Sequence, residues 1–269
     1  MTWLFDTDTT VRSRGDGSFD THLTHRWSIG AVPNGGYSSA PAIAAMLEAT
    51  ERDVPLSVTT HFYKPTTPDS DARIDTEIHR SGRTAAYASA ELVQDDVVRS
   101  RLTGVFGTLP PVDAPTRLMP EPIDIPRPED CVARDPAVQG ARMTLLDHVD
   151  VVLEPSALEL AEGGRSDRPI SFGGWVRFGD ERPPDPLALT LFADAFPPPI
   201  LMVEPTAGWV PTIELTVHVR RRPVDGWIRA ECKTVDVHDN LLIEEIRLWD
   251  EAGSLVAQGR QLAMLLTRG

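Results

Sequence analysis

Two stretches of the chain, Tyr37 to Leu47 and Pro186 to Phe196, are built mainly from small and apolar residues that fall on every side of a helix. A helix with no face to offer water can exist only where other structure encloses it, and few folds provide that enclosure. Strand-like segments follow each stretch. After Asp53 the period becomes two, with Leu56, Val58, Thr60 and Phe62 alternating with Ser57, Thr59, His61 and Tyr63, until Pro65 closes the strand. Ala72 to His79, Thr84 to Gln94 and Val97 to Gly107 continue as strands, joined by hairpin-length turns at Ser81-Gly82-Arg83 and Asp95-Asp96. In the second half, Val210 to Arg222 reads as a strand ending at Pro223. Trp227 to Val237, Leu241 to Asp250 and Ser254 to Leu266 follow, with Glu251-Ala252-Gly253 as a hairpin turn.

The two halves align. His61-Phe62-Tyr63-Lys64-Pro65 corresponds to His218-Val219-Arg220-Arg221-Arg222-Pro223 at an offset of 218 − 61 = 157, with one extra residue before the second proline. Two copies of a helix plus an antiparallel sheet imply two similar subdomains side by side. Each sheet wraps its own helix, which is the α+β arrangement of the hotdog fold, here doubled, with the two sheets expected to join edge to edge. Residues 1–107 form the first subdomain, with an N-terminal arm carrying one strand around His22 to Ile29. Residues 108–147 are a linker, since Thr108 to Pro136 holds eight prolines. Residues 148–269 form the second subdomain, opening with strands at Val149 to Leu153 and Ile170 to Phe178. Pro33-Asn34-Gly35-Gly36 is the turn into the first helix, with Pro41 expected in its first turn. The two glycines either let the helix amides approach a ligand or simply tighten the entry. Asp185 suits the N-cap of the second helix and Pro186 its first position.

Composition removes several function classes. A formal charge of −14 argues against sequence-independent nucleic-acid binding, which needs Lys and Arg to displace counterions from phosphates. Met1 to Asp8 carries acids and no basic segment ahead of an apolar run, so no secretory signal is expected. The most apolar stretch, Leu187 to Val203, contains Asp194 and three consecutive prolines, so no membrane span is expected either. Cys131 and Cys232 are unpatterned, which favours free thiols in a reducing cytoplasm. His22 and His25 have no third ligand at a recognisable spacing, so no metal is implied. There is no G-x-S-x-G, P-loop or G-x-G-x-x-G.

A small set of polar residues interrupts these patterns. Asp194 follows Leu187 and Leu191 at i, i+4, i+7, so it is either a buried carboxylate with a raised pKa, and hence a candidate base, or a carboxylate facing solvent at the helix end. Gln261 shares its strand face with Leu255, Ala257, Gly259, Ala263 and Leu265, and an inward amide needs partners. Thr212 opens its strand with a hydroxyl that can donate and accept, although Thr is also common in strands for packing alone. By offset, Thr212 corresponds to Pro55 and Gln261 to Gly104, so the first copy lacks this polar pair. Arg220, Arg221 and Arg222, with Lys64, Arg80 and Arg83, either receive the phosphates of a nucleotide-tailed substrate or are solvated strand ends.

With these residues in view, the chain resembles the double-hotdog acyl-CoA thioesterases related to bacterial acyl-CoA thioesterase II. The resemblance is carried by the Asn34-Gly35-Gly36 turn, the strand Leu56 to Pro65, Ala193-Asp194-Ala195-Phe196, Pro211-Thr212-Ile213, and Leu255-Val256-Ala257 leading to Gln261. It implies hydrolysis of an acyl-CoA to free acid and CoA without metal or cofactor. Asp194, Thr212 and Gln261 would position the water, with Gly36, in the turn with Asn34 and Gly35, as the oxyanion donor. It also implies a homodimer of double hotdogs. The Ala-Phe-Pro-Pro-Pro continuation after Asp194 and the proline-rich linker set this chain in an outlying branch. A non-catalytic acyl-CoA or lipid-binding protein on the same fold is the alternative, ahead of a hydratase or dehydratase, for which no Asp and His pair stands near a helix start.

Overall fold

The computed structural model describes residues 2–111, 113–136, 142–157, 170–204 and 207–267. A short helix α1 (Leu4–Asp8) precedes strands β1 (Arg12–Ser13), β2 (Ser18–Leu23), β3 (Ser28–Ile29) and β4 (Val32–Pro33). Helix α2 (Gly35–Thr50) then leads into β5 (Val54–Phe62), β6 (Ser70–Ser81), β7 (Ala85–Gln94) and β8 (Val97–Gly107). The second half contains β9 (Val132–Ala133), β10 (Val149–Leu153), β11 (Ile170–Phe178), helix α3 (Ala188–Phe192), β12 (Ala207–Trp209), β13 (Thr212–Val219), β14 (Ile228–His238), β15 (Leu241–Trp249), β16 (Leu255–Met264) and β17 (Leu266–Thr267). Among the described residues thirteen strands make one antiparallel sheet, ordered β1-β2-β6-β7-β8-β5-β13-β16-β15-β14-β11-β10-β9. The order is nearly the same read from either side of the β5–β13 junction, so the two copies meet edge to edge there. This is the duplicated hotdog arrangement.

Helices α2 and α3 lie on one side of this sheet, in a single apolar core that includes Tyr37, Ile43 and Met46 of α2 and Leu189, Leu191 and Phe192 of α3. They are far from equal in length. α2 runs 16 residues, starts at Gly35 and so carries Pro41 in its second turn rather than its first, where it removes the amide that would bond the carbonyl of Tyr37. α3 has five residues, because the run Pro197 to Pro199 stops any continuation soon after Asp194. The helix opens at Ala188, after Leu187, rather than at Pro186, and Asp185 Oδ1 accepts the Ala188 amide at 2.8 Å.

The arm is part of the core. Its strand lies at Ser18–Leu23 rather than around His22 to Ile29, because Phe19, Thr21 and Leu23 alternate inward and Trp27 is buried through a tight 3-10 turn. The proline-rich segment is mostly irregular and runs along the second half of the sheet. Its carbonyls at Pro126 and Pro120 accept the indole N–H groups of Trp175 and Trp249 at 2.9 and 3.1 Å, and Ile123 and Ile125 fill the space over Gly173. Val112 and residues 137–141 of that segment lie outside the described residues. Among the described residues no helix is long and apolar enough to cross a membrane.

Candidate active site at the helix junction

The close approach of the two helices builds the site. Gly36 sits against the backbone of α3, where a Cβ would stand 2.7 Å from the Thr190 carbonyl and 2.9 Å from Leu191 Cα. Only a glycine permits that contact. It brings the N-terminus of α2 onto the turn that follows α3, and the carboxylate of Asp194 caps it. The Gly36 amide donates to Asp194 Oδ2 at 2.9 Å, and Asn34 Nδ2 donates to Oδ2 and to the Asp194 carbonyl, each at 2.8 Å. Asn34 is buried and is itself the N-cap of α2, its Oδ1 accepting from the Tyr37 amide at 3.0 Å. Asn34 and Gly36 come from the first copy and Asp194 from the second. Both of these bonds to the carboxylate fall on Oδ2, and the Gly35 amide also acts on it.

Burial pushes the Asp194 carboxyl up to about 6, against the opposing pull of the Gly36 and Gly35 amides, the Asn34 amide and the charge of Arg134. Arg134 comes from the proline-rich segment. Its guanidinium donates to the Ala195 carbonyl at 2.7 Å, and burial brings its pKa down to about 10.

Asp194 opens onto a cavity of about 30 Å³ that is also lined by Phe196, Leu215, Cys232, Glu244 and Gln261. That volume suits one or two waters, each of which needs two to four polar partners. Gln261 faces the cavity from β16, and the hydroxyl of Thr212, at the start of β13, donates to Gln261 Oε1 at 2.9 Å. Thr212 does not itself line the cavity. The structure therefore joins Thr212 to Gln261 directly and sets Gln261 and Asp194 around one small space. Glu244, which the sequence reading passed over, completes the group. Its Oε2 accepts from Gln261 Nε2 and its Oε1 from Thr234 Oγ1 at 3.0 Å. The signal for it was present, since Glu244 takes an inward place in the alternation Leu242, Ile246, Leu248.

The turn residues have a different partner from the one expected. The Gly36 amide, read as an oxyanion donor, is engaged with Asp194 and so holds the carboxylate rather than standing free for a carbonyl oxygen. The basic residues also separate. Arg220 and Arg221 lie at the opposite end of β13 from Thr212, about 26 Å away at about 3.3 Å per residue. Arg221 bonds the Leu255 carbonyl and Thr116 Oγ1, each at 2.9 Å, while Arg222 pairs with Asp53 at 2.5 Å. Arg80 and Arg83 belong to that same far end, because β6 turns back beside the β8 terminus that pairs with Val54. Lys64 follows β5 at the end nearer Thr212. Lys64, Arg80, Arg83 and Arg220 are exposed and form no ion pair among the described residues.

Comparison with known proteins agrees with this architecture. Residues 23–107 match the family described as the acyl-CoA thioesterase N-terminal domain, and residues 128–265 match the acyl-CoA thioesterase C-terminal domain. A candidate thioesterase II from Thermobifida fusca YX is 30% identical, with a TM-score of 0.88 over 98% of this chain and 97% of that one. Acyl-CoA thioesterase II TesB2 from Mycobacterium marinum shares the fold at a TM-score of 0.75 and 15% identity, over 98% of this chain and 99% of that one. The uncharacterized protein Rv0499 of Mycobacterium tuberculosis is 29% identical over 92% of this chain and 90% of its own.

Proposed function

The chain belongs to the acyl-CoA thioesterase family, matched in both its N- and C-terminal domains, and from that premise we propose that it hydrolyses an acyl-CoA thioester to the free acid and CoA. One observation carries the reading. A carboxylate with one oxygen held by two donors, and a pKa brought near neutrality, borders a water-sized cavity that it shares with an amide. Such a group is suited to general-base work. Asp194 takes a proton from a water in the cavity, and the water oxygen bonds to the thioester carbonyl carbon. Collapse of the tetrahedral adduct breaks the C–S bond and releases the CoA thiolate. Gln261, steadied by Thr212, orients the water, which removes much of the entropic part of the barrier. The free thiols at Cys131 and Cys232 fit action in a reducing cytoplasm.

Thiol release from a panel of acyl-CoAs tests the proposal. Wild type should turn over at least one member, and Asp194→Asn should lower that rate by at least about tenfold, a floor set below a general base's usual contribution of about 10²–10⁴. Equal rates for the two proteins, or no release from any acyl-CoA, would overturn it. The engagement of Gly36 with Asp194 favours a second reading, a non-catalytic acyl-CoA-binding protein. Acyl-CoA binding without turnover in the same panel selects that one.

A further inference from the structure

β15 places a carboxylate where the fold calls for an apolar side chain. Leu242, Ile246 and Leu248, which share its inward face, are at most 7% exposed, and Glu244 between them is 5% exposed. A carboxylate in that position is costly unless its oxygens are matched. Here the sheet register matches them: Glu244 stands directly beside Thr234 on β14 and Gln261 on β16, and each donates to one of its oxygens. A row of polar groups thus runs from Thr234 through Glu244 and Gln261 to Thr212, and its middle members, Glu244 and Gln261, border the cavity that Asp194 also lines.

We propose that Glu244 is a positioning residue for the hydrolytic water, fixing the amide of Gln261 with its nitrogen toward β15 and its oxygen toward Thr212, and releasing that orientation when Glu244 is protonated. The inference rests on the thioesterase reading for its link to turnover, though not for its geometry. An ionised carboxylate only accepts, so it requires the Nε2 end of the amide. A protonated carboxyl can donate, so the amide is free to turn over and present its nitrogen to Thr212 instead. Turning over exchanges the donor and the acceptor that Gln261 offers to the water. The change belongs to the neutral range, because burial pushes the Glu244 carboxyl up to about 7, opposed by Gln261 and Thr234 and reinforced by the charge of Asp194. Cys232 from β14, whose thiol burial pushes well up, also faces it, and Arg134 from the proline-rich segment stands behind, beside Cys232 and Asp194. Glu245 of β15 and Arg260 of β16 stand on the cavity rim.

The experiment has two arms. In the first, kcat/KM of wild type with its best acyl-CoA should show two ionisations on the acid side, near those of Asp194 and Glu244. Glu244→Gln, whose amide offers Gln261 either a donor or an acceptor at every pH, should lose the upper ionisation and lower kcat about threefold or more, with KM little changed. In the second, the side-chain amide resonances of Gln261, identified by their absence in Gln261→Ala, are followed by ¹⁵N–¹H NMR from pH 5 to 8. They should show a titration step near pH 7 in wild type that is lost in Glu244→Gln. An amide that does not titrate in wild type, or a variant that keeps the wild-type pH profile, overturns the proposal. Should no acyl-CoA be turned over, the hydrolase reading fails separately, and the wild-type titration still decides the role of Glu244 in holding Gln261.

Discussion

Thr59 and Thr216 share a hydrogen bond of 2.8 Å across the β5–β13 junction, and they are 157 positions apart, the offset at which the sequence repeats. The register around them is symmetric, with Val58 opposite Val217 and Thr60 opposite Leu215, so the pseudo-twofold axis passes between the two hydroxyls. Near the axis the copies are alike. At the helix ends they diverge, and the divergence yields one site in which Asn34 and Gly36 of the first copy hold Asp194 of the second.

The junction makes a test of this pairing. Thr216→Val leaves the Thr59 hydroxyl without its partner and should cost about 1 kcal/mol, whereas adding Thr59→Val should cost less than the sum of the single changes. Urea unfolding of the two singles and the double measures the coupling. Strict additivity would show that the bond contributes nothing.

Helix approach should depend on Gly36 more than on Gly35. A Cβ at Gly36 meets backbone atoms of Thr190 and Leu191 at 2.7 and 2.9 Å, which can give way only if the helices separate. A Cβ at Gly35 meets side-chain atoms of Asp194 and Phe62 at 3.0 Å, which can shift. Gly36→Ala should therefore destabilise by about 1–3 kcal/mol, the usual cost of overpacking, and Gly35→Ala by less. Melting temperatures of the two variants settle the ranking.

Acyl-CoA turnover should fall on the acid side as Asp194 takes up its proton. With the carboxyl at about 6, kcat/KM should drop about tenfold per pH unit well below that value. Asn34→Ser keeps a good N-cap for α2 and removes the amide that donates to Oδ2. Losing a donor to the charged form raises the pKa further, so the acid limb should move to higher pH. A limb that stays in place would show that another group controls it.

Holding the nucleophilic water should need Gln261 more than Thr212, since only Gln261 borders the cavity. Gln261→Ala should lower kcat about tenfold or more, and Thr212→Val, which removes only the hydroxyl that steadies Oε1, by less. Steady-state kinetics on one acyl-CoA ranks the two. The reverse order would place the water on Thr212.

Periodicity carried most of what was legible before the fold was known. Helices without a polar face, strands of period two and the 157-residue offset led to the duplicated sheet, because each is a local pattern that only one kind of packing satisfies. Asp194 was legible as an acid on an apolar stripe, with burial and solvent both open at that stage, and the structure leaves it part-buried, its carboxylate turned into the helix junction. Glu244 follows the same rule on a strand. Arg134 had no such signal, because the proline-rich segment has no period from which a facing direction can be read. The partner of Gly36 was equally hidden: a glycine announces close approach without saying what approaches, and Asp194 lies 158 positions away.

Stability should fall with rising pH through the range where Glu244 ionises. Its folded pKa, about 7, stands above the ordinary 4.5, so between these values the folded state binds more protons than the unfolded one. The sign follows: the contribution is fully present below about 4.5 and is lost as pH rises through about 7. Asp194, raised from 3.8 to about 6, acts in the same direction over a lower window. At 1.36 kcal/mol per unit, the Glu244 shift corresponds to about 3 kcal/mol across its window. Urea midpoints measured from pH 4 to 8 should decline in wild type. In Glu244→Gln the decline should be shallower and should end near pH 6, leaving the Asp194 part alone. A variant curve parallel to wild type up to pH 8 would mean that Glu244 is not the group that titrates there.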